Sequence, residues 1–122
     1  VRKTPPDRSR RVLIGLWGAA IVSLPIAGLT IGTKPREAKV FTLVLNDMVF
    51  GPAPTDLRVD DTIVWVNDDI FDHTATAKDG SFDVDVKSGA RAQTKITKAG
   101  EIAFYCRYHP GMTGKLVARA RG

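Results

Sequence analysis

From Lys39 onward the chain is broken at short intervals, with runs of four to seven residues rich in Val, Ile, Thr, Phe and Trp standing between turns built from Gly, Pro, Asn and Asp. SFDVDV (Ser81 to Val86) alternates polar and apolar residues, and TIVWVN (Thr62 to Asn67) is a run of β-branched and aromatic residues between polar ends. A strand turns successive side chains to opposite faces, so such runs suit a half-buried sheet. KDG and KAG supply turn residues between runs. The pattern predicts strands over Lys39–Leu45, Asp56–Val59, Thr62–Asn67, Thr74–Lys78, Phe82–Val86, Ala92–Ile96, Ile102–Cys106 and Lys115–Arg119. With no helical period among them, these runs imply an all-β, antiparallel sandwich or small barrel.

The front of the chain is of another kind. Val12 to Gly32 is a stretch of 21 residues without a charge, and roughly 20 apolar residues carry a helix across a bilayer core. Arg2, Lys3, Arg8, Arg10 and Arg11 precede it, against the single acid Asp7. That excess of positive charge would stay in the cytoplasm and send the rest of the chain outward. Ser9 to Ile14 also resembles a twin-arginine export signal. The expected organisation is therefore residues 1–32 as a basic segment plus a hydrophobic helix, either cleaved signal or retained anchor; residues 33–38 as linker; and residues 39–122 as the folded domain. The domain is expected in the periplasm, free or tethered through Val12 to Gly32.

The formal charge of +5 belongs almost wholly to that front end. Beyond residue 11 the chain balances 13 Lys and Arg against 12 Asp and Glu. No basic face on the domain is implied, which argues against a nucleic-acid partner.

FYCRYHPGM, Phe104 to Met112, gathers the only cysteine, one of two histidines and one of two methionines. A lone cysteine in an exported chain is an inert buried thiol, a reactive one, an intermolecular link or a metal ligand. The spacing C-x2-H-x2-M favours the last, because in a tight turn Cys106, His109 and Met112 can converge on one point. Thiolate, imidazole and thioether form a soft set that prefers copper to calcium, magnesium or manganese. Zinc has little use for the thioether. The only other histidine, His73, stands in DDIFDHTAT between two expected strands, where a sheet fold can bring it beside the turn.

From about Lys39 to Arg119 the sequence resembles the small blue-copper proteins, the cupredoxins. RVDDTIVWVNDD, the isolated His73 and KAGEIAFYCRYHPGMTGKLVA follow the family's order of strand, histidine loop, strands, and a last Cys-His-Met loop before the final strand. The short loop is similar to that of amicyanin, within the amicyanin and plastocyanin-like members. The resemblance implies a Greek-key sandwich with one type 1 copper near one end, held by His73, Cys106, His109 and Met112. It also implies a monomer that passes single electrons between a donor and an acceptor redox protein. A copper carrier of the same fold and ligands is the alternative. Two positions depart from the family: Thr74 follows the first histidine where Asn is frequent, which bears on the bond tying the two ligand loops, and Tyr108 precedes the second where Pro is frequent.

An enzymatic role is not expected. A Cys106–His109 nucleophile pair lacks a third group and an oxyanion arrangement. A multicopper enzyme needs more than two histidines, and a binuclear copper site needs a second cysteine. His73 is expected to be the buried ligand and His109 the one nearest the surface. Met48, Trp65 and Phe104 read as packing residues, and Trp17 belongs to the membrane run. Tyr105 reads equally as a second electron route or a packing residue, while Arg107 and Tyr108 either recognise a partner or edge the loop. The acids Asp68, Asp69 and Asp72 read as a solvated turn, with a docking patch for a partner as the alternative.

Overall fold

The computed structural model describes Gly15 and residues 18–122. The chain divides into two compact units at Gly32 and Thr33. In the first, Gly15 and residues 18–32 form neither helix nor strand. Ile21, Leu24, Ile26 and Leu29 are exposed there. The helix expected over residues 12–32 is thus not formed across its described part. Val12, Leu13, Ile14, Leu16 and Trp17, with the basic stretch before them, lie outside the described residues. Among those described, no helix is long and apolar enough to cross a membrane.

The second unit is all β. Its strands are β1 (Val40–Asn46), β2 (Val49–Phe50), β3 (Thr62–Asn67), β4 (His73–Ala77), β5 (Asp83–Val86), β6 (Arg91–Lys95), β7 (Gly100–Tyr105) and β8 (Thr113–Ala118). They form two four-stranded sheets, ordered β2-β1-β3-β6 and β5-β4-β7-β8. All pairs are antiparallel except β1 with β3, where Val40 pairs with Thr62 and Leu45 with Asn67.

The alternation seen in the sequence decides what lies inside. Leu43 and Leu45 of β1 and Ile63 and Trp65 of β3 turn inward from one sheet, and Ala75, Val86, Ile102, Phe104 and Leu116 from the other. Trp65 sits at the centre, its ring 5.2 Å from Phe104, 5.7 Å from Phe82 and 6.0 Å from Phe50. Its indole N–H donates to Thr94 Oγ1 at 2.9 Å, which satisfies the one polar atom the ring takes into the core. Trp65 and Phe104 are core residues, as expected.

Two local expectations change. Asp56–Val59 is not a strand, and only an isolated bridge joins Arg58 to Arg119. Buried Asp61 accounts for this: its carboxylate accepts the Arg58 and Lys39 amides at 2.8 and 2.7 Å and is gripped by both Arg36 guanidinium nitrogens, at 2.9 and 3.1 Å. With the Arg58 amide turned to Asp61, pairing stops at the single bridge to Arg119. The expected linker therefore reaches the domain through Arg36. Conversely, Val49–Phe50 pairs with Asn46 and Leu45 as a short hairpin. Asp47 and Met48 make its turn with φ of 51° and 62°, the left-handed pair that tight hairpins require. Met48 is only partly buried.

Candidate metal centre

At one end of the sandwich, β4 begins with His73 just after the loop that leaves β3, and β7 ends at Tyr105, beside Thr113 of β8. The loop between them, Cys106 to Met112, closes on itself: the Cys106 amide donates to the Met112 carbonyl at 3.0 Å and the Met112 amide to the His109 carbonyl at 2.8 Å. A closed loop fixes the side chains it carries, which holds Cys106 and His109 on one side of the turn.

Cys106 Sγ lies 3.6 Å from His73 Nδ1 and 3.8 Å from His109 Nδ1. The donor atoms of His73, Cys106 and His109 all fall within 4.8 Å of one another. The imidazole rings stand 5.2 Å apart at 65°. Met112 is buried at 5% exposure in the same loop. His73 and Cys106 are wholly buried, while His109 is half-buried and nearest solvent.

These separations test the fit of a metal ion. A sulfur about 2.3 Å and a nitrogen about 2.0–2.1 Å from one ion stand roughly 3.5–3.8 Å apart for angles between tetrahedral and trigonal. The observed 3.6 and 3.8 Å match that spacing. One soft sulfur with two imidazoles, and a thioether in the same loop, fits copper.

The surroundings keep the thiol ready to bind. Burial works against a thiolate at Cys106, yet the Thr74 amide at 3.3 Å and the nearby rings of His109 and His73 outweigh it, and its pKa drops from the usual value to about 6. For His73, burial opposes the charged ring, but Asp69 and Cys106 raise its pKa overall. A thiolate-ready sulfur is the form a metal takes up.

Thr74 ties the two ligand loops together. Its amide donates to Cys106 Sγ, and its Oγ1 accepts the Arg107 amide at 2.8 Å. The bond that the departure from Asn put in question is therefore made by a hydroxyl. Arg107 and Tyr108 edge the loop: Arg107 pairs with Asp83 and Asp85, and the Tyr108 hydroxyl donates to Asp85, each at 3.0 Å. Tyr105 is half-buried in β7, in register with Thr76 and Thr113.

The sequence reading missed Asn67 and Asp69. Asn67 is fully buried, and its Nδ2 donates to the carbonyls of Phe71 and Val86 at 2.7 and 2.9 Å. Its Oδ1 accepts the Asp69 amide at 2.9 Å. Asp69 is not part of a solvated turn: its Oδ2 lies 3.0 Å from His73 Nε2, and its side chain is 9% exposed. The available signal was an Asn closing a strand directly before two acids, a pattern that favours side chain to backbone turns. Asp72 does face solvent, bonded to Lys87 and Ser88.

The cupredoxin-like domain family matches residues 16–118. Among solved structures, the chain is similar to a reduced mutant of amicyanin, at 23% identity over 66% of this chain and 82% of that one, with a TM-score of 0.57. It is also similar to a purple cupredoxin from Nitrosopumilus maritimus, at 20% identity over 65% of this chain and 99% of that one, with a TM-score of 0.58. No curated protein matches it. The solved structures share the fold, and the family match spans most of the sequence: the chain belongs to the cupredoxin-like family.

Proposed function

We propose that this chain is a type 1 copper protein that carries single electrons between redox proteins in the periplasm, with His73, Cys106, His109 and Met112 as the copper ligands. The observation that carries the reading is the convergence of a thiolate-ready sulfur and two imidazole nitrogens within 4.8 Å at one end of a rigid sandwich. Copper bound there would supply a one-electron couple between Cu(I) and Cu(II).

The residues of the chain do the rest. Buried His73 and Cys106 keep water from the inner side of the site, and loop closure between Cys106 and Met112 holds sulfur and imidazole in place whatever the charge nearby. Donors that need not move would suit both copper oxidation states, because a fixed set of two imidazoles, a thiolate and a thioether leaves little to rearrange at each electron transfer. Half-buried His109, with its ring 6.0 Å from that of partly exposed Phe71, is the edge through which an electron would leave. We read the protein as a carrier and not an enzyme, periplasmic, and tethered if residues 12–32 are retained.

Copper(II) added to the full chain, followed by visible and electron paramagnetic resonance spectra beside a Cys106→Ser variant, tests this. An intense thiolate-to-copper band with narrow hyperfine splitting, lost in the variant, is the expected result. A colourless or ordinary tetragonal complex would replace electron transfer with copper carriage as the function.

A further inference from the structure

The buried ring of His73 has two nitrogens, and the structure gives each a separate task. Nδ1 faces Cys106 Sγ at 3.6 Å, and Nε2 faces Asp69 Oδ2 at 3.0 Å. An ionised carboxylate only accepts hydrogen bonds, so a ring that offers Nδ1 to a metal carries its proton on Nε2, facing Asp69. Nδ1 then keeps its lone pair toward the sulfur, as a ligand nitrogen must.

Asp69 is itself held from several directions. Its Oδ2 also accepts the Met48 amide at 2.9 Å, and its Oδ1 accepts the Ile70 amide at 2.8 Å. Its own amide is bound by Asn67 Oδ1, and its carbonyl accepts from Ser88 Oγ at 2.7 Å. The Met48 amide reaches it because the hairpin turn holds Met48 at φ 62°. Three separate segments thus hold one residue behind one imidazole: the β1–β2 turn grips its carboxylate, the end of β3 its amide, and the stretch between β5 and β6 its carbonyl. Neighbouring Asp72 spends its carboxylate on Lys87 and Ser88 instead.

We propose that Asp69 is a positioning residue for the copper centre, selecting the Nε2-protonated tautomer and the orientation of His73 and placing a negative charge behind the ring. The inference rests on the copper reading above. Outer carboxylates of this kind make a ligating imidazole more basic, and losing one typically weakens metal affinity about 10- to 100-fold. A carboxylate close behind the ligand also favours the more highly charged metal state over the less charged one, which lowers the reduction potential.

Two variants separate position from charge. Asp69→Ala removes both, whereas Asp69→Asn keeps one oxygen that can accept from His73 and the Met48 amide, losing the charge and the acceptor for the Ile70 amide. Two-bond proton–nitrogen correlation spectra of the metal-free full chain, with Cys106→Ser in every sample so that no thiolate competes for the proton at Nδ1, in alkaline buffer where the ring is neutral, read the tautomer directly. Wild type and Asp69→Asn should show a single Nε2-protonated ring, and Asp69→Ala an averaged pair of nitrogen shifts. Asp72→Ala should leave the ring as in wild type. Chelator competition should show copper(II) held about 10- to 100-fold less tightly by Asp69→Ala than by wild type. Voltammetry should place the potential of Asp69→Asn above that of wild type. A wild-type tautomer and wild-type affinity in Asp69→Ala would overturn the proposal, as would an unchanged potential in Asp69→Asn. If wild type gives no thiolate-to-copper band, the copper reading fails by itself, and the tautomer comparison still decides whether Asp69 orients His73.

Discussion

Thr74 and Cys106 stand 32 residues apart in sequence, and the backbone amide of one donates to the sulfur of the other across 3.3 Å. Through this contact the loop bearing the first histidine senses the loop bearing the rest. The Thr74 hydroxyl adds a second link by accepting the Arg107 amide at 2.8 Å. Replacing it by Val keeps the shape, removes the acceptor and leaves that amide unpaired. Thr74→Val should therefore lower stability by about 1–3 kcal/mol. Urea unfolding measures the loss, and amide exchange at Arg107 should quicken with it. Unchanged exchange there would show that the hydroxyl does not tie the loops.

Met112 is 5% exposed, and Leu has nearly its volume. Met112→Leu should leave the fold intact, within about 1.5 kcal/mol. Its reduction potential should rise, because losing the thioether weakens support for copper(II). Voltammetry of the two loaded proteins decides this, and equal potentials would argue against an axial Met112.

In the metal-free protein the Cys106 thiol should ionise near pH 6 instead of about 9. Thiolate absorbance in the ultraviolet follows the titration, and Cys106→Ser supplies the blank. A pKa lowered by folding contributes stability that is complete above the unfolded value and disappears as the pH falls through the folded one. The Cys106 contribution should accordingly be lost between about pH 9 and about 6. A midpoint near 9 would mean that the Thr74 amide and the two rings do not stabilise the thiolate.

Buried Asp61 lies near the start of β1 and β3, at the other end of the sheet from the metal centre. Burial alone would raise its pKa, but Arg36 and the amides of Lys39 and Arg58 outweigh that and lower it. Its contribution is present above the ordinary carboxylate value of 3.8 and vanishes as the pH drops through the lower folded value. Denaturation midpoints should fall on acidification in wild type, and less steeply in Asp61→Asn. Parallel curves would remove Asp61 from the account of acid stability.

Gly114 of β8 stands against the face of Phe104, and a methyl group there would press into the ring. Phe104 is 1% exposed and packed on Trp65 and Phe50, so it has little room to yield. Gly114→Ala should destabilise the domain by about 1–3 kcal/mol, the usual range for overpacking. Thermal unfolding measures it, and an unchanged midpoint would show that the aromatic cluster readjusts freely.

Much of this protein was legible before any coordinates. Trp65 could be read as a core residue, and alternation along Ser81 to Val86 as a half-buried strand, because a period of two is a local property of an extended chain. The C-x2-H-x2-M spacing could be read as a convergent set for a similar reason, since all three residues lie in one short loop. Turn placement was less accessible. The hairpin through Asp47 and Met48 has no glycine to announce it, and Asp56 to Val59 failed to become a strand as a carboxylate further along the chain captured the Arg58 amide.

What only the tertiary structure decided was which groups meet across distance in sequence. It brought His73 to Cys106 over 33 residues, gave the Thr74 hydroxyl to Arg107, and turned Asp69 away from solvent toward an imidazole that the Met48 turn helps it hold. No local pattern distinguishes Asp69 from Asp68 or Asp72. Their difference arises from the register of strands and the closure of loops around them, where burying a polar group without a partner is costly enough to select one arrangement.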